Sequence, residues 1–119
     1  MRRISVPLSF ATMDITIIPV GTDLAVLLSG GERPHIGCAV VAVPRASLTG
    51  DGSVSCTSSV LNLTGHKDEA LCRFAAETLC RRRGVTVTCI GGFHQDNITK
   101  EQIQEVKAQL ALALERTGV

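Results

Sequence analysis

The sequence has no tryptophan, no tyrosine and only three phenylalanines among its 119 residues. Proteins that grip single-stranded nucleic acid stack its bases on aromatic faces, and this chain has no such platform to offer. Surplus charge is missing as well: 12 Lys and Arg stand against 11 Asp and Glu, a formal net charge of +1. Binding to phosphate backbones rests on a basic excess, so no nucleic-acid partner is expected. Long apolar runs are absent too. The longest, Cys38 to Val43, is far short of a bilayer span. The start, MRRISVPLSFATM, has two arginines but no apolar stretch of signal-peptide length. The expectation is a cytoplasmic protein with no membrane segment.

Paired cysteines are lacking in another sense. The five cysteines (Cys38, Cys56, Cys72, Cys80 and Cys89) are odd in number and contain no CxxC pair. A fully paired disulfide framework is therefore impossible within one chain, and a zinc ribbon or thioredoxin-type motif is not indicated. Reduced, mostly buried thiols are expected. What the chain does have is apolar content, 45% hydrophobic residues with a mean hydropathy of +0.25. That composition suits a folded single domain spanning residues 1–119.

Residues 1–13 look like a loosely held start. Asp14 to Val20 alternates and is rich in β-branched residues, Gly21-Thr22-Asp23 signals a turn, and Leu24 to Leu28 makes the second strand of a hairpin. Gly30-Gly31 breaks that strand. His35 to Val43 is continuously apolar, which suggests a strand covered on both faces. Val54 to Leu63 is another strand. After Gly65 a helix is expected from about Lys67 to Arg83, with Asp68 and Glu69 in its first turn, three arginines in its last and Gly84 after it. Val85 to Ile90 is a strand. Thr99 caps a final helix, with Gln102 completing a capping box. The order β-β-β-β-α-β-α implies an α+β fold: a mostly antiparallel sheet of about five strands with two helices on one face.

The three histidines carry the functional signal. His35 sits in GGERPHIG, His66 in TGHKDE and His94 in GGFHQDN, each beside glycine and at an element boundary. His66 is followed by Asp68 and Glu69, and His94 by Asp96. Neutral imidazole ligates divalent metals, and neighbouring carboxylates serve as further ligands or as the groups that orient the imidazoles. If the loops converge, they form a His-rich divalent site. The helix beginning near Lys67 would add amide groups and a lysine for a phosphate. The plain alternative for each histidine is a turn residue or hydrogen-bond donor. Neither HExxH nor HxH spacing is present, and both glycine-rich stretches lack Walker spacing. Cys38 could serve as a nucleophile only against an apolar setting that raises its pKa.

At these residues the chain resembles the prenylated-flavin chaperones, accessory subunits of gallate-type, UbiD-like decarboxylases. The resemblance rests on Gly30, Gly31, Pro34, His35, Ile36 and Gly37; on Gly65, His66, Lys67 and Asp68; and on Gly92, His94, Asp96, Asn97 and Thr99. It runs from about Gly21 to the last helix. It implies a non-catalytic protein that binds reduced prenylated FMN, or FMN, as cargo and hands it to an apo-decarboxylase with a divalent metal assisting. On that basis His35, His66 and His94 are expected at the metal, with Asp68 or Asp96 as a ligand or supporting group. Gly30, Gly31, Arg33 and Lys67 are expected near the phosphate, and Phe93 or aliphatic surface against the ring. A homodimer is expected, because a flat ring fits a cleft between two copies better than a pocket inside so small a fold. The rival readings are a metal-dependent enzyme acting on a small phosphoester or carboxylate through the same histidines, and a small interaction subunit whose histidines merely order loops.

Overall fold

The computed structural model describes residues 1–63 and 66–119, with side chains for all of these except residues 66 and 67. Six strands and two helices follow in the order β1 (Arg2–Pro7), β2 (Thr12–Val20), β3 (Asp23–Gly31), β4 (Cys38–Ala46), β5 (Val54–Asn62), α1 (His66–Arg83), β6 (Val87–His94) and α2 (Lys100–Arg116). They form one sheet in the order β1-β2-β3-β6-β4-β5. Every neighbouring pair is antiparallel except β3 and β6, which run parallel. The α+β architecture expected from the pattern is present, with a sixth strand added.

That strand is β1, which the sequence reading left as a loose start. It pairs with β2 from Arg2↔Ile17 to Pro7↔Thr12. Its outward positions carry Arg3 and Ser5 while Ile4 and Val6 turn inward. Charge on an edge strand blocks further pairing and also masks the alternation by which strands are recognised. The β2–β3 hairpin is closed by Gly21 and Thr22 between the paired residues Val20 and Asp23, with Gly21 at φ 62°, where glycine carries no steric cost. β3 does not end at the glycine pair. Gly30 and Gly31 continue it, paired with Phe93 and His94 of β6.

The core lies between one face of the sheet and the two helices. Met13, Ile15, Val26, Leu28, Val40, Val87 and Cys89 from the strands meet Leu79 of α1 and Leu110 and Leu114 of α2, all fully buried. α2 begins with Thr99, whose hydroxyl accepts from the Gln102 backbone N–H at 3.1 Å while the Gln102 side chain accepts from the Thr99 N–H at 2.9 Å. The capping box is thus present as read from the sequence. Of the arginines closing α1, Arg82 does more than match the helix dipole: it donates to the carbonyls of Leu114 and Val119 at 2.8 and 3.2 Å, tying the ends of the helices together. β4 begins three residues later than the apolar run that foretold it. Cys38, Val40 and Ala42 are buried, but Val41 and Val43 are 40% and 48% exposed. Only one of the two faces expected to be covered is covered within a single chain.

All five cysteines are free thiols, and all but Cys56 are fully buried. Burial pushes the Cys38 thiol up to about 11, and a hydrogen bond to Cys72 together with burial pushes Cys89 up as well. Neither becomes a thiolate in the neutral range, which removes Cys38 as a nucleophile. Native protein in a mildly alkaline thiol reagent should therefore lose Cys56 first, with the others reacting only as fast as the fold opens. Rapid native labelling of Cys38, read by peptide mapping, would contradict this packing. Thr99→Ala should lower stability by about 1 kcal/mol, seen as a lower denaturant midpoint at unchanged slope.

Candidate functional site

The parallel β3–β6 pair builds the site. Because β6 lies between β3 and β4, the connection Glu32–Gly37 must cross the C-terminal end of β6 to enter β4. It is pinned on both sides: the Glu32 N–H donates to the His94 carbonyl at 2.8 Å and the Gly37 N–H to the Gly91 carbonyl at 2.9 Å. The crossing carries Arg33 and His35 over Gly92 and His94. Two of the histidines singled out in the sequence are brought together in this way, their ring centroids 6.3 Å apart and nearly perpendicular at 79°.

β4 ends its pairing with β6 at Cys38↔Gly91, so the last residues of β6 have no strand on that side. Asp68, in the first turn of α1, fills the vacancy. Its Oδ1 accepts the Phe93 N–H at 2.9 Å and its Oδ2 lies 3.0 Å from His35 Nε2. The carboxylate is buried, at 5% exposure. On its other side the His35 ring donates from Nδ1 to the Arg33 carbonyl at 3.0 Å. Both ring nitrogens thus face oxygen atoms, one of a carbonyl and one of a carboxylate.

His94 makes the second couple. Its Nε2 lies 2.8 Å from Asp96 Oδ1 and 2.8 Å from an Arg33 guanidinium nitrogen, and Arg33 also reaches Asp96 at 3.4 Å. One ring nitrogen cannot both accept from Arg33 and donate to Asp96, so the tautomer decides between two arrangements: Nε2 accepts an Arg33 N–H, or its own N–H goes to Asp96. The hydrogen bond from His94, and then the charge of Arg33, hold the Asp96 carboxyl below the usual carboxylate range. The Asp96 N–H donates to Glu32 Oε1 at 2.8 Å, a second tie between the crossing loop and the 94–97 turn that the sequence did not suggest.

Next to these couples lies a cavity of about 390 Å³, lined by residues including Leu71, Phe93, Ile98, Ile103, Val106 and Lys107. That volume falls within the range of small-ligand sites, and its walls are mainly apolar. Phe93 is itself fixed edge-on by Phe10, with centroids 6.1 Å apart. Gln95 also lines the cavity, and its buried side-chain oxygen has no hydrogen-bond partner among the described residues. In the sequence Ile103 and Val106 stood only as parts of the buried stripe of α2; their role as cavity wall depends on where α2 docks.

Among the sequence candidates, His35, Asp68, His94, Asp96, Arg33 and Phe93 meet at the end of β6. Gly30 and Gly31 lie one strand away, as backbone partners of Phe93 and His94 rather than as a free loop. The side chains of His66 and Lys67, and Gly65 before them, lie outside the described residues. Among the described residues no three His, Cys, Asp or Glu side chains are arranged to hold a metal ion.

Gly92 lies directly against the buried couple. A Cβ at this position would stand 2.8 Å from His35 Cε1 and Nε2 and 3.1 Å from Asp68 Oδ2. Both obstacles are side chains, so Gly92→Ala should fold but push the His35–Asp68 couple apart. The expected result is a native-like circular dichroism spectrum with displaced His35 ring signals in the NMR spectrum. Unchanged His35 signals would show that the close approach is not required.

No curated protein matches the chain. Among solved structures, a chain of a chaperone complex for yeast 20S proteasome assembly aligns with a TM-score of 0.50 at 14% identity, covering 97% of this chain and 90% of that one. At such identity the likeness is one of fold. No helix among the described residues is long and apolar enough to cross a membrane. The model of the prenylated flavin chaperone LpdD-like domain matches residues 9–117, a span that takes in the crossing loop, both His–Asp couples and both helices. The chain therefore belongs to the prenylated flavin chaperone LpdD-like family.

Proposed function

We propose that this chain binds reduced prenylated FMN, or FMN, as cargo and delivers it to an apo-decarboxylase of the UbiD-like type, with a divalent metal ion helping to hold the phosphate. Family membership supports flavin handling and a chaperone role. The observation that supports the rest is the meeting of two His–Asp couples beside a mainly apolar cavity at the end of β6.

The donor set suits the reading. His94 Nε2 and Asp96 Oδ1 converge on one position, taken here by the Arg33 guanidinium. Imidazole nitrogen with carboxylate oxygen is a donor pair that divalent cations accept. A bound ion would supply positive charge for the phosphate dianion. His94 and Asp96 would hold such an ion, and Arg33, released from them, would be free to meet the phosphate with two parallel hydrogen bonds. His35 and Asp68 stand ready as a further ligand and its orienting partner, in either order. His66 completes the proposed ligand set, and Lys67 with the strand end at Gly30 and Gly31 the proposed phosphate contacts.

The ring system of the cargo belongs against Phe93 and the aliphatic wall from Ile98, Ile103 and Val106. With no Tyr or Trp in the chain, Phe93 is the aromatic surface at this cavity. A turn of the Gln95 side chain would bring its unpartnered oxygen to an N–H on the ring's edge. Burial there keeps the reduced ring from dissolved oxygen until transfer, which is the use of a carrier.

Anaerobic titration with reduced prenylated FMN should show binding that weakens at least 10-fold when EDTA is present, and again in His94→Ala and Asp96→Ala. Absence of binding with and without metal would refute the carrier reading; binding indifferent to EDTA would refute the metal's part alone.

A further inference from the structure

The helices cover only one face of the sheet. On the other, the register aligns Thr16, Leu27, Ile90, Ala39 and Leu61 in a row across five strands. A parallel row one step along, Ile18, Ala25, Thr88, Val41 and Ser59, contains no charged residue either. Leu27 is 47% exposed, Val41 40% and Leu61 72%. Antiparallel sheets that face water set polar residues outward, and a parallel pair such as β3–β6 is ordinarily covered on both sides. An uncharged face across the centre of a sheet is surface awaiting a partner.

From this we infer that the open sheet face is the interface of a homodimer, two copies packing sheet against sheet about a two-fold axis. Size supports it. Six strands about 4.8 Å apart, up to nine residues long at about 3.3 Å each, present on the order of 700 Å². A standard stable interface takes about 800 Å² from each partner. Charge supports a second copy over a different protein. By the alternation of the strands, the charged positions around this face are Arg3, Asp14, Asp23 and Arg45, two of each sign. An uncharged centre with a balanced rim is self-complementary: a two-fold can set Arg against Asp, whereas a strongly acidic or basic partner finds no matching field. Paired sheets would sit about 10 Å apart, with Leu27, Ile90 and Val41 filling the space between. This inference does not depend on the flavin reading.

Light scattering or sedimentation equilibrium of the whole chain tests it. The wild type should show twice the 12.6 kDa chain mass. Leu27→Lys and Leu61→Lys place a charge on an already exposed position, so each should keep the far-UV spectrum while weakening the dimer roughly 100-fold. Phe74→Lys, on the exposed side of α1 and 41% exposed, should leave the dimer intact. A wild type that stays at the single-chain mass when concentrated overturns the inference. So does a dimer that survives both sheet-face lysines, and so does one dissolved by Phe74→Lys but not by them.

Discussion

A backbone N–H left without a strand partner must find another acceptor, and at Phe93 that acceptor is Asp68. The bond joins three parts of the molecule. β6 has run past the start of β4, α1 begins beside the gap, and the crossing loop closes over it through His35. Removing the carboxylate would leave a buried amide unsatisfied and release His35 together. One residue thus sets both the end of the sheet and the position of the site. It is also an acid in the first turn of a helix, where the dipole favours it, so local and long-range demands agree.

The second couple is built differently. Arg33 and Asp96 are well exposed, their side chains 69% and 57% accessible, and His94 is half-buried. Ion pairs of that kind contribute little to stability. Their geometry is accordingly cheap to change, which fits groups that must rearrange around a ligand better than groups that hold a fold. The buried couple fixes the frame and the exposed couple is free to respond. Between them, Gly92 keeps the approach open.

How much of this the sequence revealed depends on range. Local signals read correctly were the Thr99–Gln102 capping box and the hairpin at Gly21 and Thr22; the strand expected over Val85 to Ile90 exists, but it runs on through Gly91 and Gly92 to His94 because β3 pairs with it that far. β1 escaped because the arginines that protect its edge break its alternation. Clustering of His35 with His94 was visible only as a similarity between loops. What joins them is the parallel pairing of Gly31 with His94, and strand order is not written in spacing. Asp68 was read as an orienting or ligating acid near histidine; its bond to the Phe93 amide needed the early end of β4, again a long-range fact. The cavity escaped for the same reason, since Ile103, Val106 and Lys107 come from a helix whose docking no local pattern specifies. The apolar run at β4 was informative in an unforeseen way: it foretold two covered faces, and the single chain supplies one.

The parallel pairing has a kinetic side. Gly31 meets His94 only after β4, β5 and α1 have been laid down between them, so the last pairing of β3 with β6 closes the longest loop in the sheet. Closing such a loop costs chain entropy before any contact repays it, and non-local strand pairing is slow for that reason. His35, Asp68 and His94 come from three stretches that this step unites. The site therefore has no existence in a half-folded chain, and a ligand that bridges the three stretches would hold the closing pair shut. Such a ligand would add its binding free energy to the stability of the folded chain.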